Sequence, residues 1–102
     1  MFMVLLQFGP RRAQAGLHMQ AHNDWIRRGV EEGVFALAGS LADGTGGAIL
    51  AHGIDQAALH RRLQDDPFVA EGVVDARIVG IVPNRADPRL SFLLPDTAGG
   101  RA

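Results

Sequence analysis

The stretch FMVLLQF, from Phe2 to Phe8, decides the fold of this chain. It is a short, mostly apolar run that ends at Gly9-Pro10, and this pattern is typical of a buried β-strand. Successive side chains of a strand point to opposite faces of the sheet. Both sets are apolar here, with Phe2, Val4, Leu6 and Phe8 on one face and Met3 and Leu5 on the other. The first strand therefore predicts a sheet that is covered on both faces.

A long amphipathic helix is predicted after the first strand. Its apolar residues recur at helical spacing and are Leu17, Ala21, Trp25, Ile26 and Val30. We expect the helix to start near Ala13–Gly16 and to end at Gly33, because glycine is favoured just after a helix C-terminus. Gly29 lies inside the helix and costs about 1 kcal/mol of helix propensity relative to alanine, so close packing is expected at that point.

A β-hairpin is predicted next. The two apolar runs Val34–Leu41 and Ala48–His52 flank a turn-rich segment, residues 42–47. In the first run, alternation places Val34, Ala36 and Ala38 on one face and Phe35, Leu37 and Leu41 on the other.

A second helix, a short helical turn and a last strand complete the pattern. Asp55 is the predicted N-cap of a helix from Gln56 to about Asp65. Asp66-Pro67 repeats this start signal, with proline at the first helical position, for a turn that ends at Gly72. The last strand is Val73–Val82, in which Ala76, Ile78 and Val82 oppose Val79 and Ile81.

The order strand, helix, strand, strand, helix, strand is the βαββαβ arrangement of the ferredoxin-like fold. We predict an α+β domain over residues 1–82, with a four-stranded antiparallel sheet and two helices on one face. A sheet with one face in water alternates apolar and polar residues, and these strands do not. A second copy of the chain is the simplest cover for the other face, so a homodimer packed through that face is expected. In the tail, residues 83–102, the stretch Arg89–Leu94 is expected to pack on the sheet edge or on the partner subunit.

Composition narrows the classes of function. The chain has 102 residues, the length of one domain, and a formal net charge of −1 without a basic block, so no nucleic-acid partner is expected. It has no cysteine, which excludes disulfides, thiolate metal sites and a cysteine nucleophile. The apolar start is too short for a membrane span and lacks the basic flank of a signal peptide. We therefore expect a cytoplasmic protein with no membrane partner.

The predicted topology brings chemically useful residues to one end of the sheet. The start of the first helix carries His18 and His22, the hairpin carries residues 39–47, and the second helix ends at Asp65-Asp66. His22 shares the helix stripe of Trp25 and should face inward. It is either a hydrogen-bonded core histidine or a general acid or base, and a neutral imidazole near a helix N-terminus suits the second role.

Asp66 also allows two interpretations. As a helix cap it uses one carboxylate oxygen, and the other oxygen remains able to orient an imidazole such as that of His22. His18 and His22 have an i,i+4 metal-ligand spacing, but Asp66 is the only evident third ligand, so no metal site and no cofactor are predicted. Arg11 and Arg12 follow the first strand, where they either meet an anionic substrate or form a solvated pair of charges.

The chain resembles the YciI-like (YCII-related) family from about Met1 to Val82. The resemblance is carried by His22, Trp25-Ile26, Gly33, Leu37-Ala-Gly39, Gly46-Gly47, Asp66-Pro-Phe68 and Gly72. It implies a dimeric ferredoxin-like barrel similar to muconolactone isomerase, with His22 and Asp66 as the active-site pair. It also implies, from a few relatives, removal of chloride from chlorinated hydroxyquinols without a cofactor. One departure is that the family usually has Gly-Pro where this chain has Gly39-Ser40, which changes the expected pocket.

Two hypotheses of function follow. The first is a cofactor-independent enzyme for a small molecule, of the isomerase, dehydrochlorinase or lyase, or hydrolase type, in which Asp66 orients His22 for proton transfer. Its predicted substrate-binding residues are Ser40, Gly39, Arg11 and His18. The second is a non-catalytic module that binds a small ligand or a partner on the same dimeric scaffold. An open cavity at His22 and Asp66 favours the first hypothesis, and a histidine without solvent access favours the second.

Overall fold

A four-stranded antiparallel sheet forms the centre of the protein in the computed structural model, which describes residues 1–95. Its strands, in the spatial order β2-β3-β1-β4, are β1 (Phe2–Phe8), β2 (Phe35–Ser40), β3 (Gly46–Ala51) and β4 (Val74–Gly80). The helices are α1 (Ala15–Glu31), α2 (Gln56–Gln64) and the single turn α3 (Pro67–Ala70). Short 3₁₀ segments lie at Arg12–Gln14 and Pro88–Leu93. The predicted α+β ferredoxin-like fold is confirmed.

The hydrophobic core lies between the sheet and the helices. Val4, Leu6 and Ile49 of the sheet are buried against residues of all three helices. The helix residues are Trp25, Leu59, Leu63 and Phe68. The helix that follows β1 and the helices that follow β3 therefore cover the same face of the sheet, as the sequence predicted.

The inward stripe of α1 differs from the predicted one. Trp25 and Gly29 are buried, whereas Leu17 is 80% exposed and Val30 is also exposed. Trp25 lies three residues after His22 and four before Gly29, so these three positions share one side of the helix, and Leu17 and Val30 lie on its flanks. The helix ends at Glu31, and Gly33 follows with a φ of 79°, which fits its predicted place after the C-terminus.

A β-bulge in β2 corrects the predicted faces of that strand. Phe35 is paired with Ala51, but the next pair is Leu37 with Leu50, so Ala36 is an extra residue. The extra residue reverses the alternation. Phe35 therefore faces the helices, together with Ala38, and is buried at 1% exposure, while Leu37 points to the opposite face.

Strand β3 starts two residues earlier than predicted. Gly46 and Gly47 belong to the strand and pair with Gln7 and Leu6 of β1. Gly46 has a φ of 153°, and a Cβ atom there would overlap the carbonyl oxygen of Leu6. The sequence predicts a turn for these two glycines. The structure shows that Gly46 is required because strands β1 and β3 approach each other closely at this position.

The caps of α2 and α3 are the predicted ones. The carboxylate of Asp55 accepts a hydrogen bond from Ala58 N–H at 2.8 Å, and that of Asp66 accepts one from Phe68 N–H at 3.0 Å. These bonds stabilise the two helix starts, and the second one fixes the position of Asp66.

The tail packs on the domain through its 3₁₀ segment. Leu93 is buried, and the ring of Phe92 lies 5.1 Å from that of His52 at the end of β3. The last part of the predicted tail, residues 96–102, lies outside the described residues. Within residues 1–95, no helix is both long enough and apolar enough to cross a membrane.

The face of the sheet opposite the helices has an apolar centre, and Gln7 of β1 and residues of β4 are polar there. Leu5 and the row of Leu37, Leu50, Met3 and Val79 share this face. On β4 the same face carries Asp75 and Arg77, which the prediction of an entirely apolar face had not included. Leu37 is 63% exposed in the single chain. A homodimer through this face remains our expectation.

Leu37→Asp should dissociate that dimer, because a buried unpaired charge costs several kcal/mol. In sedimentation equilibrium the wild type should have twice the mass of the chain and the variant the mass of one. Leu17→Asp is the control, since Leu17 is even more exposed in the chain but lies on α1 and not on this face of the sheet. A wild type that is folded and monomeric would contradict the expectation.

Gly29→Ala should destabilise the protein. A Cβ atom at Gly29 would overlap the ring of Phe35. Such overpacking destabilises a protein by about 1–3 kcal/mol, whereas the higher helix propensity of alanine stabilises it by about 1 kcal/mol. Gly16→Ala is the matched control in α1, because nothing lies near its added methyl group. Urea unfolding should show a lower free energy of unfolding for Gly29→Ala and no decrease for Gly16→Ala. Equal behaviour of the two variants would show that the helix does not pack as described.

Candidate functional site

The side chains of His22 and Asp66 are hydrogen-bonded. His22 Nδ1 lies 2.7 Å from Asp66 Oδ1, although the two residues are 44 positions apart in the chain. Asp66 has no exposed surface, and the side chain of His22 is 14% exposed. The geometric prediction from topology is confirmed, because α1 and the α2–α3 corner meet at one end of the sheet. The chemical role of the pair stays a prediction.

Asp66 Oδ1 accepts two hydrogen bonds at once. One comes from Phe68 N–H at 3.0 Å, and the other joins it to His22. The second oxygen, Oδ2, is buried and has no hydrogen-bond partner among the described residues. A buried carboxylate interacts more strongly with an imidazole than an exposed one does, because the local dielectric constant is low.

Aromatic stacking also restrains the ring of His22. Phe68 stacks on it with centroids 4.0 Å apart and planes inclined by 5°, and Trp25 lies beyond at 6.3 Å. Phe68 follows Asp66 by two residues, so one short helix supplies both the carboxylate and the stacking ring. These contacts leave the imidazole little freedom to rotate.

His22 lines a cleft on the helix face of the sheet, which we call the His22 cleft. It has two adjoining lobes of about 230 and 240 Å³. Both lobes are lined by Leu6, His22, Asn23, Gly39, Ser40 and Gly47. One lobe extends along Ile26, Ala38, Ala48 and Ile49, and the other extends past Phe8, Met19, Gly44, Gly46, Phe68 and Val74.

Small residues of the hairpin create the cleft. Gly39 and Gly47 have no side chains and Ala38 has only a methyl group, so α1 and the edge of the sheet do not close over the space between them. Ser40 and Gly39, two of the predicted substrate-binding residues, lie on this wall. The hydroxyl group of Ser40 and the amide of Asn23 are the uncharged polar side chains of the lining.

The other two predicted substrate-binding residues do not line either lobe. His18 is half-buried one turn before His22, and Arg11 is exposed and directs Nη1 towards the carbonyl oxygen of Glu71 at 3.4 Å. The neighbouring Arg12 instead contacts two lining residues, Phe8 and Gly44. In the part of the chain that the structure describes, no three histidine, cysteine or acidic residues are close enough to hold a metal ion.

Asn23 and Phe68 were missed as site residues. Asn23 follows His22 directly in α1, so its side chain lies about 100° further round the helix and still reaches the cleft. A helical projection centred on His22 would have found it, but a polar residue beside an inward stripe is usually solvent-exposed. Phe68 was part of the motif that carries the resemblance, and nothing in the sequence indicates that its ring stacks on His22.

The chain belongs to the YCII-related domain family, whose model matches residues 1–81. A search of the curated proteins gave no match. The family membership agrees with the resemblance seen in the sequence, and it covers all four strands and the His22–Asp66 pair.

The hydrogen bond between the two side chains determines which nitrogen of His22 carries a proton when Asp66 is ionised. An ionised Asp66 only accepts hydrogen bonds, so His22 Nδ1 must carry the shared proton. In a neutral imidazole the other nitrogen, Nε2, is then the acceptor, and His22 is a residue that lines the cleft. In this tautomer, one nitrogen of His22 is free of a proton and can act as a base, and the other is hydrogen-bonded to the carboxylate of Asp66.

Asp66→Asn should keep most of the stability and lose the fixed tautomer. The amide oxygen of asparagine caps a helix about as well as aspartate, whereas Asp66→Ala removes the partner of two donors and should cost about 2 kcal/mol or more. Urea unfolding gives the stability, and the ¹⁵N shifts of the imidazole give the tautomer. Asp55→Asn and Asp55→Ala are the controls at a cap that touches no histidine. If Asp66→Ala costs no more than Asp55→Ala, the pair does not stabilise the fold.

Proposed function

We propose that this YCII-related protein is a cofactor-independent enzyme that moves a proton on a small cyclic or unsaturated substrate. One observation carries the proposal: a histidine hydrogen-bonded at 2.7 Å to a fully buried aspartate lines an open cleft. A histidine that served only the core would not need to line a cavity. The reaction is an isomerisation or an elimination, in which His22 takes a proton from the substrate, or a hydrolysis, in which it takes a proton from the attacking water.

His22 acts as the base. Its Nε2 takes a proton from the substrate, and the electron pair of the broken bond moves into the conjugated system of the substrate. The imidazole becomes an imidazolium ion, which faces the buried carboxylate of Asp66. Asp66 accepts only one other hydrogen bond among the described residues, so its negative charge is not neutralised by other donors. The carboxylate therefore stabilises the positive charge that forms on His22. Return of the proton to another atom completes an isomerisation, and loss of a leaving group such as chloride completes an elimination.

Two polar side chains of the cleft lining take the developing negative charge. The Ser40 hydroxyl and the Asn23 amide both donate hydrogen bonds and both line the lobes that His22 lines. A substrate oxygen conjugated to the reacting carbon would lie against them. Stabilisation of such an oxyanion by donors already in place is a large part of enzymatic rate enhancement.

The size of the cleft limits the substrate. A substrate that occupies one lobe is small, because each lobe, at about 230 or 240 Å³, is below the range of roughly 300–1,000 Å³ for pockets that take drug-sized ligands. Lining side chains such as Leu6, Ile26 and Phe68 are apolar. We therefore expect a substrate with a single ring or a short unsaturated chain.

The second candidate function is a binding domain without catalysis. The observation in its favour is that Asp66 has a complete structural role as the cap of α3, to which His22 adds one more bond. Such a domain would bind small ligands in the same cleft and would not convert them. Binding without turnover separates this candidate from the enzyme.

Turnover should depend on His22. We expect the wild type to release chloride from chlorinated hydroxyquinols or to isomerise small lactones, followed by a chloride electrode and by NMR. His22→Gln should lower the rate about 10²–10⁴-fold, the usual contribution of a general base. His60→Gln is the control, because His60 lies exposed on α2. Treatment with EDTA should leave the rate unchanged. Turnover that survives His22→Gln, or binding of these compounds without any turnover, would contradict the proposal.

A further inference from the structure

Arg12 lies at the mouth of the His22 cleft. Its Nη2 donates a hydrogen bond to the carbonyl oxygen of Gly44 at 3.1 Å, and its guanidinium carbon lies 4.6 Å from the centre of the Phe8 ring. Phe8 and Gly44 line the same lobe as His22. Arg12 therefore spans from the end of β1 to the β2–β3 hairpin across one side of this opening.

The positive charge of Arg12 has no carboxylate partner among the described residues. Three other arginines, Arg27, Arg62 and Arg89, each form an ion pair with an acidic side chain. The acid nearest to Gly44 in sequence is Asp43, but its Oδ1 accepts hydrogen bonds from the hydroxyl and the N–H of Thr45. These bonds hold the pKa of Asp43 below its usual value and direct the carboxylate to its own turn.

Other features of this end of the cleft also favour an anion. Arg12 lies just before α1, whose first turn contains no acidic residue, so the positive end of the helix dipole is not offset there. The bond from Arg12 to Gly44 uses a neutral acceptor on the exposed surface, where water replaces it easily. A guanidinium group forms paired hydrogen bonds with a planar carboxylate, and these are stronger than a bond to a carbonyl group.

From these observations we infer that Arg12 is a specificity-determining residue that binds the carboxylate of a small, single-ring acid while the rest of that molecule lies in the cleft towards His22. The inference rests on the proposed function and, of the two kinds of substrate named there, favours lactones that carry a carboxylate over chlorinated hydroxyquinols, which carry none. Arg11, which the sequence indicated for this role, points away to Glu71 and does not take part.

Binding of benzoate and of the neutral benzamide tests this inference without any turnover. The two probes have the same ring and differ in charge. Titrations followed by ¹H–¹⁵N spectra should show shifts at the amides of Gly44, Gly46 and Gly47. We expect the wild type to bind benzoate at least about tenfold more tightly than benzamide, from the extra strength of hydrogen bonds to charged groups. Arg12→Gln should remove this preference, and Arg12→Lys should keep part of it because the charge remains.

Arg11→Gln is the matched control, since it removes the same charge one residue away and should leave the preference intact. His22→Gln should also keep the preference, so a protein that binds benzoate through Arg12 but never turns over a substrate would disprove the enzyme and not this inference. Equal affinity for the two probes, no shift at the cleft with millimolar benzoate, or an equal loss in Arg11→Gln would overturn it.

Discussion

The carboxylate of Asp66 is the group on which both the fold and the candidate site depend. It is fully buried, and one of its oxygens joins the start of α3 to the ring of His22 on α1. A buried charge is costly unless it is hydrogen-bonded, so the chain can place it there only if both donors are present. The cap and the histidine are therefore parts of one arrangement. Its geometry is set when the α2–α3 corner packs against α1.

A second constraint sets the height of α1 above the sheet. Gly29 lets the ring of Phe35 lie directly against the helix backbone, and Trp25 packs on the edge of that ring at 5.1 Å. The bulge at Ala36 is what turns Phe35 towards the helix. Close contact at this end of α1 and small residues of the hairpin at the other end leave the His22 cleft open. The same helix thus closes the core at Gly29 and borders a cavity at His22.

The order of the elements could be predicted because apolar runs, N-caps and breakers mark each of them. The proximity of His22 and Asp66 was also predictable, since topology alone brings their elements to one end of the sheet. The faces of β2 were not, because the bulge depends on tertiary packing and Ala36 has no distinguishing property. The sequence also could not show which of Arg11 and Arg12 lies at the cleft. The 3₁₀ segment after Pro10 decides which of two identical neighbours turns towards Gly44.

The edge strand β2 connects the site with the face on which we expect a second subunit. Gly39 and Ser40 line the His22 cleft, and they also line a depression of about 230 Å³ on the opposite face, beside Met3, Leu37 and Leu50. This is possible because β2 has no neighbour beyond it and glycine at position 39 blocks neither side. A molecule that packs on the apolar row would reach the backbone that carries Ser40. Assembly through that face and the shape of the cleft would then be coupled through two residues of one strand. Ser40 supplies a hydroxyl group and a backbone N–H at that position, and both are donors that a proline would lack.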